Sequence, residues 1–305
     1  MARSAAKIVL AAAVLYFAGK QIHADLSKAG RQEFALSGGW LVLSAVLYIG
    51  GMAFIVEFWR RTLVRMGGRM TMLEGQRAGF ASELGKYVPG KALGIIIRCA
   101  MTARDEASPV IVVISTFYQT MAMMAVGSVV SLAALLAWGE ASGAILALAA
   151  GLSVGFTFIS LPPVFTRLVS LVALPFRKSG EALARPIGYD TLARGFALMT
   201  PGWALIGLSI AATAAGVGRP TAGAEGILVS VGSAGLSIAS GFVMIFVPAG
   251  LGAREYVLTQ TVAPALGVPV AALVAVVSRI INVVAEVATA GILYFGVRKA
   301  RSGGK

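Results

Sequence analysis

The sequence predicts an all-α, polytopic integral membrane protein with about seven to eight transmembrane helices, two broken or re-entrant helices and an inverted repeat. Three observations carry this. The 305 residues are 58% hydrophobic and only 13% charged, against about 25% charged in a typical soluble domain. Apolar runs long enough to cross a hydrocarbon core of ~30 Å recur along the chain. Charges and Pro-Gly breaks gather at two places, Glu83 to Arg98 and Pro248 to Glu255. Residues 1–305 read as a single transmembrane domain.

In order, Ser4 to Gln21 holds the apolar run Ile8 to Ala18 behind Arg3 and Lys7. It is a signal peptide or a short first span, and a retained span is expected because no clean A-x-A site follows. Leu36 to Val56 is a full span. It ends at Glu57-Phe58-Trp59-Arg60-Arg61, with Arg65, Arg69 and Arg77 beyond, a basic density that belongs in the cytoplasm and meets anionic headgroups there. Met72 to Val88 mixes Glu74, Arg77, Glu83 and Lys86 with Leu73, Phe80, Leu84 and Tyr87. That is too polar for a lipid-facing span and suits an interfacial or re-entrant helix. Pro89 has no amide hydrogen and Gly90 admits unusual dihedrals, so a break is expected there, with a new helix over Lys91 to Met101. Lys91 and Arg98 would share one face of it. Gly90 and Gly94 form a small pair suited to close helix contact.

Ser108 to Trp138 is the next span, where Gln119 either bonds a neighbouring helix or lines a cavity. Gly139-Glu140-Ala141-Ser142 turns at the outer face. Gly143 to Leu161 returns, carrying Gly151 and Gly155 at the spacing of close helix packing. Pro162 to Arg194 is basic, hence cytoplasmic, and partly an amphipathic surface helix. Thr191 to Gly216 and Ala224 to Val247 form a hairpin of spans. The second is rich in small residues, among them Gly232, Gly235, Ser237, Ser240 and Gly241, which permits close backbone approach. The second break, Pro248, Gly250 and Gly252, leads into Arg254 and Glu255. In the last span, Val268 to Val297, Arg279, Asn282 and Glu286 share one face. That face either holds a structural ion pair or lines a cavity. Glu286 is the expected partner of Arg254, and Arg279 of Glu255.

Gly90 and Gly250 lie about 160 residues apart, as do Pro109 and Pro269, the mark of a duplicated unit. Seven spans from a cytoplasmic N-terminus would leave the basic tail, Arg298 to Lys305, outside. Ala249 to Gly267 is therefore expected to cross, while Met72 to Arg98 stays a cytoplasm-facing hairpin. The long spans after the two breaks then run in opposite directions.

Composition excludes several function classes. One cysteine, Cys99, and one histidine, His23, leave no internal disulfide, His-based triad or multi-Cys metal site. No GxxxxGK[ST] loop is present, and no cofactor or metal is expected. The net charge of +13 marks cytoplasmic loops rather than nucleic-acid binding.

Glu83-Leu84-Gly85-Lys86-Tyr87-Val88-Pro89-Gly90-Lys91, and Pro248-Ala249-Gly250-Leu251-Gly252-Ala253-Arg254-Glu255 followed by Arg279, resemble the lysylphosphatidylglycerol synthase transmembrane, or flippase, family over essentially the whole chain. Ala249 stands where a glycine is common. The resemblance implies a multi-pass bacterial inner-membrane protein, with both termini cytoplasmic, that moves lipid between leaflets. Relatives that make lysyl-lipid carry a soluble synthase domain. None precedes Lys305, so synthesis is not expected and the chain is expected not to be an enzyme.

The expected substrate site joins Glu83, Lys86, Tyr87, Lys91, Arg98, Arg254, Glu255, Arg279 and Glu286. Its cations attract a headgroup phosphate, while Glu83 and Glu255 balance them or meet an ammonium. The expected partners are membrane lipids with an anionic headgroup, and a second copy of the chain or a separate lipid-modifying enzyme. Two other functions fit the sequence: a non-catalytic partner of a lipid-modifying enzyme or glycosyltransferase, and a membrane-embedded headgroup enzyme using Glu83 and Glu255 as acid and base.

The charge pattern predicts a topology. With Cys99 replaced, a single cysteine at Ala141 should react with an impermeant maleimide applied from outside, and one at Ser179 should not; the reverse labelling would overturn it.

Overall fold

The structure is a computed structural model that describes residues 36–87, 93–102, 107–173, 186–221, 223–244 and 252–302. Among the described residues ten α-helices follow one another: α1 Gly38–Arg65, α2 Met72–Glu83, α3 Leu93–Met101, α4 Pro109–Trp138, α5 Gly143–Ser160, α6 Pro162–Ala173, α7 Tyr189–Gly216, α8 Gly223–Val243, α9 Ala253–Leu266 and α10 Val268–Ser302. A 3-10 turn, Leu84–Tyr87, extends α2. Helix starts follow local chemistry. Thr71 caps α2 in a reciprocal box with Glu74. Ser108 caps α4, whose first residue is Pro109, and Gly139 ends it in the left-handed region.

Six helices, α1, α4, α5, α7, α8 and α10, are long and apolar enough to cross a membrane. The expected span Ser4 to Gln21 lies outside the described residues, as do Pro89, Gly90, Lys91, Pro248 and Gly250. The segment expected to cross at Ala249 to Gly267 has a helix of 14 residues, α9. At 1.5 Å per residue it is about 21 Å long, shorter than the ~30 Å core. The expected hairpin of short helices forms, since α2 and α3 pack on each other; residues 88–92 between them lie outside the described residues.

The helices form two copies of one arrangement, α1 to α4 and α7 to α10, joined by α5 and α6. Each packing in one copy has its counterpart in the other. α1 meets α2 as α7 meets α8; α2 meets α3 as α8 meets α9; α3 meets α4 as α9 meets α10. Between the copies, α4 packs on α7 and α8, and α10 on α1 and α2. The most extensive interface is α1 on α7, and it is antiparallel. Ser37 N–H donates to the Gly216 carbonyl at one end, and Arg65 pairs with Asp190 at the other. The repeat is therefore inverted.

Gly51 and Gly202 mark where α1 and α7 cross, each the fourteenth residue of a 28-residue helix. A Cβ on Gly51 would lie 2.6 Å from the Gly202 carbonyl oxygen, and one on Gly202 would lie 2.9 Å from that of Gly51. Small residues let backbones touch in a membrane, where packing rather than hydrophobicity drives helix association. The glycines of α8 serve the same end, as a Cβ on Gly235 would meet the Gly127 carbonyl oxygen at 2.2 Å.

One expectation about glycine needs correction. Gly151 and Gly155 do not mediate a helix contact among the described residues: both are exposed, with nothing near an added Cβ. Helix α5 instead packs through the face of Ala149, Ser153 and Phe156. In the hairpin, Gly94 approaches Gly85, whose added Cβ would lie 2.4 Å from the Gly94 nitrogen. Gly90, the expected mate of Gly94, is outside the described residues.

Gly51→Ala should therefore lower the thermal midpoint measured by circular dichroism in detergent, because overpacking costs about 1–3 kcal/mol. Gly291→Ala, with open space around it, should hold or raise the midpoint, since alanine is the better helix former by about 1 kcal/mol. Equal behaviour of the two variants would contradict the crossing.

Candidate functional site

Two polar clusters lie inside the apolar bundle, joined by Glu83. The first is built on Arg98, the one buried residue of α3. Its guanidinium lies over the Trp59 ring, 4.4 Å from the centroid. Nε donates to Ser82 Oγ at 2.8 Å, and Nη1 to Gln119 Oε1 at 2.8 Å and Thr116 Oγ1 at 3.4 Å. Glu83 Oε1 stands 3.7 Å from Nη2. A guanidinium has five donors in a fixed fork, and here nearly every direction finds an acceptor. Gln119 thus bonds a neighbouring helix rather than leaving its amide to a cavity. Trp59 is held in turn by its own donation to Ser115 Oγ at 3.1 Å.

The second cluster is built on Glu286, which is fully buried. Three donors converge on its carboxylate. Lys86 Nζ donates at 2.6 Å, the Tyr87 hydroxyl at 2.9 Å, and the Tyr48 hydroxyl also donates. The donors come from two places in the fold, α1 and the 3-10 turn, so this one carboxylate of α10 ties the hairpin to both long helices. Lys86 also reaches Glu83 Oε2 at 3.4 Å, which links the two clusters into one chain of charge.

Beside it, α9 supplies Glu255 and Arg254. Glu255 pairs with Arg279 of α10, as the sequence led us to expect. Its Oε2 also accepts from the Gly252 amide at 2.7 Å, capping α9 at a glycine of positive φ. The expected pairing of Arg254 with Glu286 does not form, because Lys86 takes that carboxylate. Arg254 meets α10 one turn earlier, at Asn282. With the Asn282 amide assigned so that its oxygen faces Arg254, the orientation that suits both neighbours, that oxygen accepts from Arg254 Nη2 at 2.9 Å and its nitrogen donates to the Ser278 carbonyl at 3.1 Å.

Of the nine expected site residues, Lys91 lies outside the described residues and the other eight all fall in this chain. Sequence reasoning missed Tyr48, Trp59, Ser82 and Thr116. Tyr48 and Trp59 sit in or at the edge of an apolar run, where an aromatic residue reads as lipid-facing or interfacial. The charges divide unevenly. Lys86, Arg98, Arg254 and Arg279 face Glu83, Glu255 and Glu286, and of these four cations Arg254 pairs with no carboxylate among the described residues.

The Glu255–Arg279 pair is mostly buried, with side-chain exposures of 17% and 3%. Removing one partner of such a pair typically costs about 3–5 kcal/mol. Glu255→Gln should therefore lower the yield of folded protein in size-exclusion chromatography. Adding Arg279→Gln should restore part of it, and a double variant worse than either single one would contradict the pairing.

The curated proteins offer no match to the chain. A family model described as the lysylphosphatidylglycerol synthase TM region matches residues 4–289, nearly the whole sequence. That region is the non-catalytic, membrane-embedded part of synthase-like proteins and is associated with lipid handling. On that match, the protein belongs to the lysylphosphatidylglycerol synthase transmembrane family.

Proposed function

We propose that the protein moves a phospholipid with an anionic headgroup, aminoacylated or not, between the leaflets of a bacterial inner membrane, as a flippase or scramblase. The observation that carries this reading is Arg254. It is half-buried and held in place by Asn282, and it makes no ion pair among the described residues. Charge at membrane depth is expensive and marks substrate pathways when it lacks an internal counter-ion. A phosphodiester bearing one negative charge brings the cluster of four cations and three carboxylates to neutrality.

In this reading Arg254 and Lys86 bind the phosphate. Lys86 is the more accessible end of the chain, its side chain 32% exposed, and it exchanges Glu286 for the phosphate as the headgroup enters. Glu286 keeps its two tyrosine donors during that exchange, so its charge is never left bare. Glu83 and Glu255, each partly exposed, stand where the ammonium of an aminoacyl group would add a favourable contact. Arg98 and Arg279 hold the scaffold rather than the lipid. Every donor on Arg98 that has a described partner is spent within the protein.

Purified protein in vesicles should speed the loss of dithionite-accessible signal from a fluorescent phosphatidylglycerol without changing the lipid's mass. Arg254→Gln should fold normally and slow that movement about tenfold or more, since a hydrogen bond to a charged group is worth about 1.5–3 kcal/mol. A changed lipid mass would favour an enzyme. Unchanged movement in Arg254→Gln would move the headgroup site elsewhere.

A further inference from the structure

Away from that chain of charge, the ends of α1 and α7 that carry Arg65 and Asp190 border two adjoining open cavities, of about 370 and 290 Å³. Thr62, Arg65 and Thr191 line both, and Arg60, Arg61 and Arg194 line the second. The two carboxylates here are shared out. Glu57 bonds Arg60 and Arg61, and Asp190 bonds Arg65 and lies 3.9 Å from Arg194. Four arginines against two carboxylates leave two positive charges among the described residues.

A second observation points to a ligand. Thr62 is 1% exposed, and its hydroxyl has no hydrogen-bond partner among the described residues. The repeat explains how it came to be alone. The offset that carries Gly51 onto Gly202 carries Thr62 onto Thr213 and Ser44 onto Gly195. Thr213 has its partners, Ser44 Oγ at 2.8 Å and the Ser209 carbonyl at 2.9 Å. At the position of Ser44 the second half has Gly195, which offers no hydroxyl. A buried hydroxyl without a partner costs about 1–3 kcal/mol, and a phosphate oxygen would satisfy it.

We propose that this seam binds a lipid with two phosphates, a diphosphatidylglycerol of the inner leaflet. Two adjoining cavities sharing Thr62, Arg65 and Thr191 match two phosphates, and the two uncompensated arginine charges match their two negative charges. Basic pockets between helices on the cytoplasmic side hold such headgroups in membrane proteins. The position agrees, for these are the last turns of α1, where the chain becomes basic. The apolar Phe58, Val64 and Leu198 beside the arginines suit the start of the acyl chains. This seam is separate from the transport cluster and does not depend on it.

Native mass spectrometry of the whole protein in detergent, titrated with diphosphatidylglycerol or with phosphatidylglycerol, tests the proposal. Diphosphatidylglycerol should bind more tightly, and inorganic phosphate should not displace it. Arg61→Gln with Arg194→Gln should weaken it roughly thirtyfold, at about 1 kcal/mol per basic residue. Both side chains are largely exposed, at 57% and 63%, and each carboxylate keeps its other arginine, so folding should hold. Thr62→Val should weaken binding as well. Equal affinity for the two lipids, displacement by phosphate, or a Thr62→Val variant that gains thermal stability with binding intact would each overturn the assignment.

Discussion

The buried carboxylate of Glu286 is the constraint on which the rest of the structure depends. An ionised group at full burial costs several kcal/mol unless donors surround it, and this one draws a lysine and two tyrosines from two other parts of the fold. Its demand fixes where the re-entrant hairpin ends, because Lys86 and Tyr87 must reach α10 together. It fixes the rotation of α1, which must turn Tyr48 toward α10 while keeping Gly51 against Gly202. The hairpin is then set well enough for Arg98 to find Trp59, Ser82 and Gln119.

The inverted repeat explains why such a chain of charge is tolerable at all. Each half carries an arginine that bridges its short helix to the long helix after the break: Arg98 of α3 to Gln119 of α4, and Arg279 of α10 to Glu255 of α9. The arginine sits on the short helix in one half and on the long helix in the other, so the halves share an architecture and differ in chemistry. In the second half the short helix carries a further cation, Arg254, for which the described residues of α3 hold no counterpart. The asymmetry places the spare charge on one side of a symmetric frame, beside the Glu286 cluster.

Much of this was legible in the sequence. Long uncharged runs announce spans, Pro-Gly breaks announce the ends of half-helices, and seven-residue spacing placed Arg279 and Glu286 on one face. Even the Glu255–Arg279 pair could be reasoned out, since two adjacent charges entering a membrane need separate partners. What periodicity cannot give is which element crosses that face. Tyr48 contributes a hydroxyl from an apolar helix, and its sequence signal is the same as that of an interfacial aromatic. The partner of Glu286 was misassigned for the same reason: Lys86 and Arg254 both lie in breaks, and only their heights along α10 separate them. Gly151 and Gly155 carry the spacing of a helix contact, yet they face outward, because spacing records what a face permits and not what meets it.

The central claim is that Arg254, helped by Lys86, receives a lipid phosphate next to Glu286. The most direct measurement is an experimental structure of the protein in nanodiscs of anionic phospholipid. The account predicts phosphate density within hydrogen-bonding distance of the Arg254 guanidinium and Lys86 Nζ, with Tyr48 and Tyr87 still on Glu286. Arg254 paired to a carboxylate of the protein, with no phosphate near it, would contradict the account.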